Sequence, residues 1–281
     1  MTITQTAHER LTDMLTSLKL TAIRDQLDRL LGEAARQDLA LSEALAMLCE
    51  RELARRHERR IEMGLSIAKF PAVCELASFD YKAQPSLDAK QIKELASSRW
   101  VGLGETVLLL GPPGVGKTHL AIGLGRAAVG AGYSVLFTQA TSLVAGLARA
   151  HSEGRLDDRL MQLSKPKLLI PACAGTSELG YLPFEPNAAH LFFQLVSRRY
   201  ERGSLMITSN RAVGEWGTVF GDPVVATAIL DRLLHHSHVI TIRGDSYRLK
   251  EKRRSGLVQK TGMLATPPAA GVASMPEESK P

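Results

Sequence analysis

The sequence has few cysteines and no long apolar segment. Its three cysteines, Cys49, Cys74 and Cys173, are widely spaced and form no C-x-x-C pair, which argues against a disulfide framework or a cysteine-based zinc site. No run approaches the roughly 18 apolar residues of a membrane-spanning helix, and the N-terminus lacks the apolar core of a signal peptide. These absences predict a cytoplasmic protein with no membrane partner.

The composition is that of an ordinary globular protein. Of the 281 residues, 44% are hydrophobic and 23% are charged, so the chain can bury a sizeable core. At this length, one α/β domain with a smaller appendage is expected. The net charge of +6 permits a polyanionic partner without requiring one. Basic residues are concentrated between Arg243 and Lys260, where they outnumber acidic residues by seven to two.

The first part of the chain has a helical pattern. Leucine and isoleucine recur at three- and four-residue steps between residues 9 and 65, which predicts helices, and Ser42 is a candidate cap for the second long helix. A connector with two prolines is expected from Phe70 to Pro85. Asp88 is then expected to open a short helix toward Trp100 as part of a capping box.

Beyond this connector, short apolar runs alternate with longer helical stretches. This alternation predicts right-handed crossovers and a mostly parallel sheet that is covered on both faces. The sequence therefore predicts an α/β fold with a parallel five-stranded sheet. The expected strands are Thr106–Leu110, Ser134–Thr138, Lys167–Ile170, Ser204–Thr208 and Val239–Ile242.

A phosphate-binding loop follows the first expected strand and precedes a helix. Glycines in such a loop let successive N–H groups face phosphate oxygens at the positive end of the helix dipole. Lys117 is expected to reach the β- and γ-phosphates, and Thr118 is expected to ligate Mg²⁺. The loop therefore predicts an ATP-binding protein. Its residues match G-x-x-x-x-G-K-[ST] at every fixed position: Gly111, Pro112, Pro113, Gly114, Val115, Gly116, Lys117 and Thr118.

Hydrolysis at such a loop also needs polar groups on the neighbouring strands. An acidic residue after one strand holds Mg²⁺ and primes water, but the run Lys167–Ile170 enters Pro171 and reaches no acid before Glu178. The run Ser204–Thr208 leads into Asn210, so Thr208 or Asn210 could orient the attacking water. The alternative for these two residues is a polar strand end that only enters a turn.

Taken together, these segments resemble the AAA+ ATPases of the IstB/DnaC group, and most closely the IstB-type ATP-binding helpers of insertion-sequence transposition. Besides the phosphate loop, the resemblance is carried by Leu18–Leu31, Phe79–Tyr81, Tyr133–Thr138, Glu178–Glu185, Thr208–Asn210, Ala228–Ser237 and Ser246–Lys250. The C-terminus is rich in Pro, Ala, Gly and Ser and is expected to be disordered. The expected domains are a helical N-terminal domain at 1–70, a AAA+ ATP-binding domain at 71–255 and a disordered tail at 256–281.

The resemblance implies a homo-oligomeric ATPase that assembles on double-stranded DNA, with nucleotide at its subunit interfaces, and that stimulates or directs a transposase. It implies Glu178 as the catalytic residue that activates water and Asn210 as the sensor that positions it. It also implies Arg232 as an arginine finger that reaches the site of a neighbouring subunit, where a guanidinium can stabilise charge on the γ-phosphate. Without the resemblance, an arginine paired with Asp231 or solvent is the alternative.

The chain departs from this group at the second acidic motif. The group has Asp-Glu-Leu-Gly-Tyr almost directly after the strand, whereas here an insertion precedes the motif and Ser177 stands before Glu178. A serine brings no charge to the metal, so ATP binding is expected to survive and hydrolysis to be weak. Two alternatives stay open: a helicase loader of the DnaC type, and a nucleotide-gated DNA-binding module with impaired hydrolysis.

Two basic clusters are candidates for DNA contact. The first has arginines at four-residue spacing on one helix face, and it could follow DNA phosphates; the alternative is a solvated face that Glu52 and Glu58 neutralise. The second lies past the last expected strand and has fewer acids. The candidate residues are Arg51, Arg55 and Arg59 in the first cluster and Lys252, Arg253 and Arg254 in the second.

Three histidines lie close together near the last expected strand. They are His235, His236 and His238, and no acid or cysteine joins them at the spacing of metal ligands. The sequence therefore predicts structural or interface histidines at these positions and no metal site.

Overall fold

A computed structural model describes residues 6–172, 186–244 and 246–247. Its N-terminal part consists of four helices, α1 (Ala7–Ser17), α2 (Thr21–Asp25), α3 (Leu27–Arg36) and α4 (Leu41–Ala68). The predicted cap at Ser42 is wrong, because α4 begins one residue earlier. The helix follows Ala40, whose N–H donates to the Glu43 carboxylate at 3.0 Å, and Ser42 therefore lies within the first turn.

The first three helices pack on the first half of α4 through a small apolar cluster. Leu15, Ile23 and Leu27 are buried there, with Leu48 of α4 packed against them. The second half of α4 lies on the main core, where Ile61 and Leu65 pack against buried side chains. The long helix α4 thus connects the N-terminal helices to the rest of the described chain.

A buried carboxylate joins α2 to α4. Glu52 is 5% exposed, and its side chain accepts hydrogen bonds from the Ala22 N–H at 2.8 Å and from Arg56 Nε at 2.9 Å. Burial raises the pKa of Glu52, but the hydrogen bonds from Arg56 and from the backbone of Ala22 and Ile23 outweigh it, so the net pKa lies below its ordinary value of 4.5. The ionised carboxylate therefore stabilises the contact between the two helices.

Replacing Glu52 by alanine should lower the free energy of unfolding by about 2 kcal/mol at pH 7, because a buried N–H loses its acceptor. Since the folded pKa is depressed, this stabilisation is present above pH 4.5 and is lost as the pH falls through the folded pKa. Urea unfolding across this range measures the difference from the unmodified chain, which should narrow in acid. Exposed Glu50 supplies the control: Glu50→Ala should change stability by less than about 0.5 kcal/mol, and an equal loss in both variants would contradict the assignment.

The rest of the described chain is built on a parallel sheet, as predicted. Its strands are β1 (Thr106–Leu110), β2 (Val135–Gln139), β3 (Leu168–Ala172), β4 (Ser204–Ser209) and β5 (Ser237–Thr241). They lie in the order β2-β3-β4-β1-β5, and every pair is parallel. All the strands therefore end at the same edge of the sheet, which is where an α/β fold of this kind binds ligands.

Helices cover both faces of this sheet. The helices are α5 (Ala89–Ala96), α6 (Arg99–Leu103), α7 (Lys117–Gly130), α8 (Ala140–Ser152), α9 (Leu156–Ser164), α10 (Pro186–Arg199), α11 (Trp216–Phe220) and α12 (Pro223–His235). One face packs on α5 to α7 and the end of α4, and the other packs on α8 to α12. The cap of α5 is confirmed at Asp88, whose carboxylate accepts from the Lys90 N–H at 2.8 Å. The predicted capping box is not, because the bond comes from Lys90 and not from Gln91, three residues after Asp88.

Strand β3 is longer at its carboxyl end than the apolar run predicted. Pro171 and Ala172 continue the strand and pair with Thr138 and Gln139 of β2. On its other side, β3 pairs with β4 only as far as Leu169 and Leu205 within the described residues. Proline has no N–H to donate to a ladder, so it tolerates a strand position where only one neighbour is paired.

None of the helices in the described ranges is long and apolar enough to cross a bilayer.

Candidate nucleotide-binding site

The phosphate loop runs from the carboxyl end of β1 into the first turn of α7. Backbone crowding requires glycine at two of its fixed positions. Gly111 has a φ of +147°, and a Cβ there would lie 2.3 Å from the Ile242 carbonyl oxygen. Gly116 has a φ of +98°, and a Cβ would lie 2.6 Å from the Phe79 ring. Neighbouring segments occupy the space that a side chain would need at these two positions. The loop can therefore adopt this backbone conformation only with glycine at both.

Lys117 places a buried ammonium beneath this loop. The residue is 7% exposed, and its Nζ donates hydrogen bonds to the carbonyl oxygens of Gly111 at 2.7 Å and Pro112 at 2.8 Å. Thr118 follows in the first turn of α7 and is half-buried. A cation and the amino end of a 14-residue helix together produce positive potential at the loop, which suits a phosphate group.

Aromatic residues from the connector pack against the loop. The Phe79 ring lies 5.1 Å from the Tyr81 ring and 5.5 Å from the His119 ring, measured between centroids. His119 Nε2 lies 3.0 Å from the Glu75 carbonyl oxygen. Burial raises the pKa of the Tyr81 phenol. The connector therefore forms one wall of the site. The sequence signalled this segment only through the resemblance, to which Phe79–Tyr81 contributes.

The segment after β5 crosses the loop from the other side. The Ile242 N–H donates to the Leu110 carbonyl at 2.8 Å, and the Tyr247 N–H donates to the Gly114 carbonyl at 3.0 Å. Between them, Ser86 Oγ donates to the Arg243 carbonyl at 2.8 Å. This crossing segment thus connects the phosphate loop to the connector, and nothing in the local sequence predicted it.

The polar end of β4 lies beside the start of the loop. Ser209 pairs with Leu110, and its carbonyl oxygen accepts from the Gly111 N–H at 3.1 Å. Thr208 is fully buried in the strand, and Asn210 is the half-buried residue that follows it. The structure therefore brings Asn210 to the same edge as the phosphate loop, where a sensor residue would be needed.

Other predicted site residues fall outside the described ranges. Glu178 and the Ser177 that precedes it lie between Ala172 and Pro186, outside the described residues. The second basic cluster, Lys252, Arg253 and Arg254, also lies outside the described residues. Strand β3, which leads toward Glu178, does end at the edge of the sheet that carries the loop.

Arg232 lies far from the phosphate loop of its own chain. It belongs to α12, its Nη1 donates to the Ala228 carbonyl at 3.1 Å, and its guanidinium lies 4.7 Å from the centroid of the Phe193 ring. It lines a small pocket with Thr106 and Leu205, at the amino ends of β1 and β4. At about 3.3 Å per residue, β1 places this edge roughly 13 Å from the loop. Arg232 is thus not part of the same subunit's nucleotide site.

The first basic cluster is partly neutralised within the chain. Arg55 pairs with Glu58 at 3.7 Å, and Arg59 donates to Thr21 Oγ1 at 3.3 Å. Arg56, which lies beside them, pairs with Glu52. Arg51 is exposed and has no ion pair or hydrogen-bond partner among the described residues. Of the three arginines proposed for DNA, Arg51 is therefore the most available to an external anion.

A family model described as IstB-like ATP binding protein matches residues 13–255. The chain is 47% identical over 247 residues to an ATP-binding protein of insertion sequence IS21 from Pseudomonas aeruginosa, which covers 88% of this chain and 91% of that protein. It is 41% identical over 245 residues to its counterpart in insertion sequence IS5376 from Geobacillus stearothermophilus, covering 87% and 96%.

Among solved structures, the fold is similar to the replication initiator DnaA bound to AMPPCP and single-stranded DNA. The superposition has a TM-score of 0.52 with 18% sequence identity. It covers 69% of this chain and 58% of that one, little more than half its length. At this identity, the likeness shows the fold alone and nothing about partners.

Proposed function

Because the chain belongs to the IstB-like ATP-binding protein family, we propose that it is an ATP-binding AAA+ helper of DNA transposition. In this role it assembles on double-stranded DNA and stimulates or directs a transposase. The observation that carries the proposal is the phosphate loop. Its backbone curves at Gly111 and Gly116, where only glycine fits, and the ammonium group of Lys117 hydrogen-bonds to the Gly111 carbonyl. The insertion-sequence context of the relatives supports the transposition role.

The residues at the loop fit a nucleotide with Mg²⁺. Neighbouring atoms take the space that a side chain would fill at Gly111 and Gly116, which keeps side chains out of the loop at these two positions. We infer that backbone N–H groups of the loop line the ligand side. In our proposal, these groups and Lys117 hold the phosphates of ATP, and Thr118 holds Mg²⁺. The bound metal would neutralise charge between the β- and γ-phosphates.

Hydrolysis in this proposal depends on residues from two subunits. Glu178 activates water and Asn210 positions it. Arg232 acts in a neighbouring subunit, since it lies at the sheet edge opposite its own loop. Such an arrangement makes hydrolysis conditional on a homo-oligomer, because an isolated subunit lacks the guanidinium that stabilises charge in the transition state.

A second candidate is a nucleotide-gated DNA-binding module that turns over little ATP. The observation that favours it is the substitution of the metal-binding Asp by Ser177. In this alternative, ATP binding alone drives assembly on DNA and the bound state persists. The two candidates differ in turnover and share DNA and nucleotide as ligands.

The proposed function is tested by duplex DNA binding with Mg-ATP, with ADP and without nucleotide. Fluorescence anisotropy with a labelled duplex should show binding at least about tenfold tighter with ATP, the scale of a typical coupling between two ligands. Sedimentation of the same mixtures should show an oligomer only when both ligands are present. Both candidates would be contradicted if the affinity for the duplex were the same with ATP, with ADP and without nucleotide, and if no oligomer formed.

The DNA-contact assignment is tested through salt dependence. In Mg-ATP, Arg51→Ala should weaken duplex binding and reduce the slope of log K against log salt by about 1, because one phosphate contact is lost. Arg55→Ala and Arg59→Ala should change the slope less, since their side chains already have partners. The control is exposed Arg10 on α1, whose replacement should leave the slope unchanged; an equal effect at Arg10 would rule out a specific contact at Arg51.

The transposase role needs a separate measurement with an insertion-sequence transposase. The chain with Mg-ATP should increase strand transfer into a target duplex, and it should not do so with ADP. If it instead binds and loads a replicative helicase onto DNA, the helicase-loader alternative is correct.

A further inference from the structure

A cluster of metal-ligating side chains lies at the edge of the sheet opposite the phosphate loop. Glu201, His235 and His236 each offer one ligand atom, and the three atoms lie within 4.8 Å of one another. No acid stands at ligand spacing beside these histidines in the sequence, and Glu201 reaches them from the turn after α10. We propose that the three residues bind a divalent transition-metal ion of the Zn²⁺ class.

The backbone holds all three residues in fixed positions. His235 is the last residue of α12, and the carbonyl of His236 accepts from the Thr106 N–H at 2.8 Å, which attaches it to β1. Glu201 occupies a tight turn with a φ of +57°. This turn is closed by hydrogen bonds from Arg202 and Gly203 to the Arg199 carbonyl, both at 2.9 Å. Metal binding would therefore cause little further loss of backbone conformational entropy.

The Arg199 side chain makes this turn rigid from beneath. It is 1% exposed and donates to four backbone carbonyls, those of Leu163, Pro166, Lys167 and Ser204, at 2.7 to 3.1 Å. Burial lowers the pKa of Arg199 to about 10, so it remains charged at neutral pH. The turn that presents Glu201 is thus anchored between β3 and β4.

Tyr200 orients one of the histidine ligands. Its hydroxyl oxygen lies 2.7 Å from His235 Nδ1. In the proposed site, the Nδ1–H donates to this oxygen, which leaves the lone pair of Nε2 for the metal. A partner of this kind on the other ring nitrogen fixes the tautomer and ring plane of most metal-binding histidines. The His235 and His236 rings are 4.1 Å apart at their centroids and meet edge to face, so their nitrogens can converge on one ion.

The ligand set indicates which metals fit. Two imidazoles and one carboxylate suit Zn²⁺, whereas Mg²⁺ and Ca²⁺ prefer oxygen ligands only. Zinc–ligand bonds of about 2.0–2.1 Å place tetrahedral ligand atoms roughly 3.3 Å apart. All three side chains are exposed, so rotation about their side-chain bonds can close the remaining distance. Three protein ligands leave one coordination position for water.

The charged neighbours of the cluster have opposite signs. The charged residues that act on Tyr200 are Glu201 and Asp231, which are acidic, and Arg232, which is basic. His238 is not counted as a ligand, because its Nε2 lies 2.8 Å from the Glu105 carboxylate. The proposed site is therefore limited to Glu201, His235 and His236, with Tyr200 as a positioning residue.

The test is titration of the full chain, prepared without a histidine tag and without nucleotide, with Zn²⁺ by calorimetry and with Co²⁺ by visible absorption. One ion should bind per chain. Removing a ligand, in Glu201→Ala, His235→Ala or His236→Ala, should weaken binding by about 100-fold or more. Tyr200→Phe should weaken it by about tenfold, the usual effect of losing a partner that orients a ligand.

Two controls separate this site from other metal ligands. His151 is an exposed histidine at the end of α8, outside the cluster, so His151→Ala should bind Zn²⁺ as the unmodified chain does. Binding at cysteines would add a thiolate charge-transfer band to the Co²⁺ spectrum, and none is expected. The proposal is overturned if His235→Ala combined with His236→Ala binds Zn²⁺ as tightly as the unmodified chain, or if the unmodified chain binds none. Circular dichroism checks that each variant is folded.

Discussion

Replacing Lys117 by alanine should weaken Mg-ATP binding by about 100-fold or more. Charge-assisted hydrogen bonds contribute about 1.5–3 kcal/mol each, and about 2.7 kcal/mol already corresponds to a factor of 100. In the structure, the Lys117 ammonium donates to the carbonyl oxygens of Gly111 and Pro112. When ATP binds, we expect it to donate at least two hydrogen bonds to phosphate oxygens instead. Calorimetric titration with ATP and Mg²⁺ measures the effect.

The matched control for this variant is Lys165→Ala, which removes an exposed lysine outside the loop. It should leave the ATP affinity unchanged. Thermal unfolding in the absence of ATP should show both variants folded, because the backbone of the loop is held by Ile242 and Ser209 rather than by the lysine. ATP binding by Lys117→Ala within about threefold of the unmodified chain, less than 1 kcal/mol, would show that the loop does not bind phosphate as proposed.

Ser177→Asp should increase ATP hydrolysis on duplex DNA by about tenfold or more, since a carboxylate would again hold the metal that polarises the γ-phosphate. ATP affinity should change little, because Lys117 and the loop amides provide most of the binding. Steady-state phosphate release measures turnover. Thr176→Asp is the matched control, as it adds the same charge one residue away. If the unmodified chain already hydrolyses ATP at the rate of Ser177→Asp, the hypothesis of weak hydrolysis is wrong.

The more active Ser177→Asp background also tests the other catalytic assignments. Glu178→Gln should abolish the gained turnover without loss of ATP binding. Arg232→Ala and Lys117→Ala should each be inactive alone, yet a mixture should recover part of the activity. In mixed oligomers, some sites combine an intact Lys117 from one subunit with an intact Arg232 from its neighbour. No recovery in the mixture would contradict a role for Arg232 between subunits.

The sheet and the phosphate loop were predictable because both depend on local sequence. Buried parallel strands are continuous apolar runs, and Thr106–Leu110 has the bounds that its run predicted. The loop is specified by fixed glycines and a lysine. The local rule for helix caps failed at α4. Ser42 is a residue type that caps helices, but the Glu43 side chain accepts from the Ala40 N–H, and the helix starts before Ser42.

Contacts between distant segments were not predictable from a single sequence. Phe79 reaches Gly116 across 37 residues, and the Tyr247 N–H meets the Gly114 carbonyl across a still longer separation. Glu201 joins His235 only because α10 and α12 end at the same edge of the sheet. No spacing or periodicity in the sequence indicates that these residues are in contact, because the fold determines which distant segments meet.

Helix α4 has a mechanical consequence for the nucleotide site. Its 28 residues form a rod about 42 Å long, whose first half is held by Glu52 and the N-terminal helices. At the other end it lies against α7, so closely that a Cβ on Gly64 would be 2.7 Å from Val129. Helix α7 begins at Lys117. Helix α4 therefore couples the two parts of the chain, and a shift of α7 at its contact with Gly64 would be carried along one continuous helix to α1–α3.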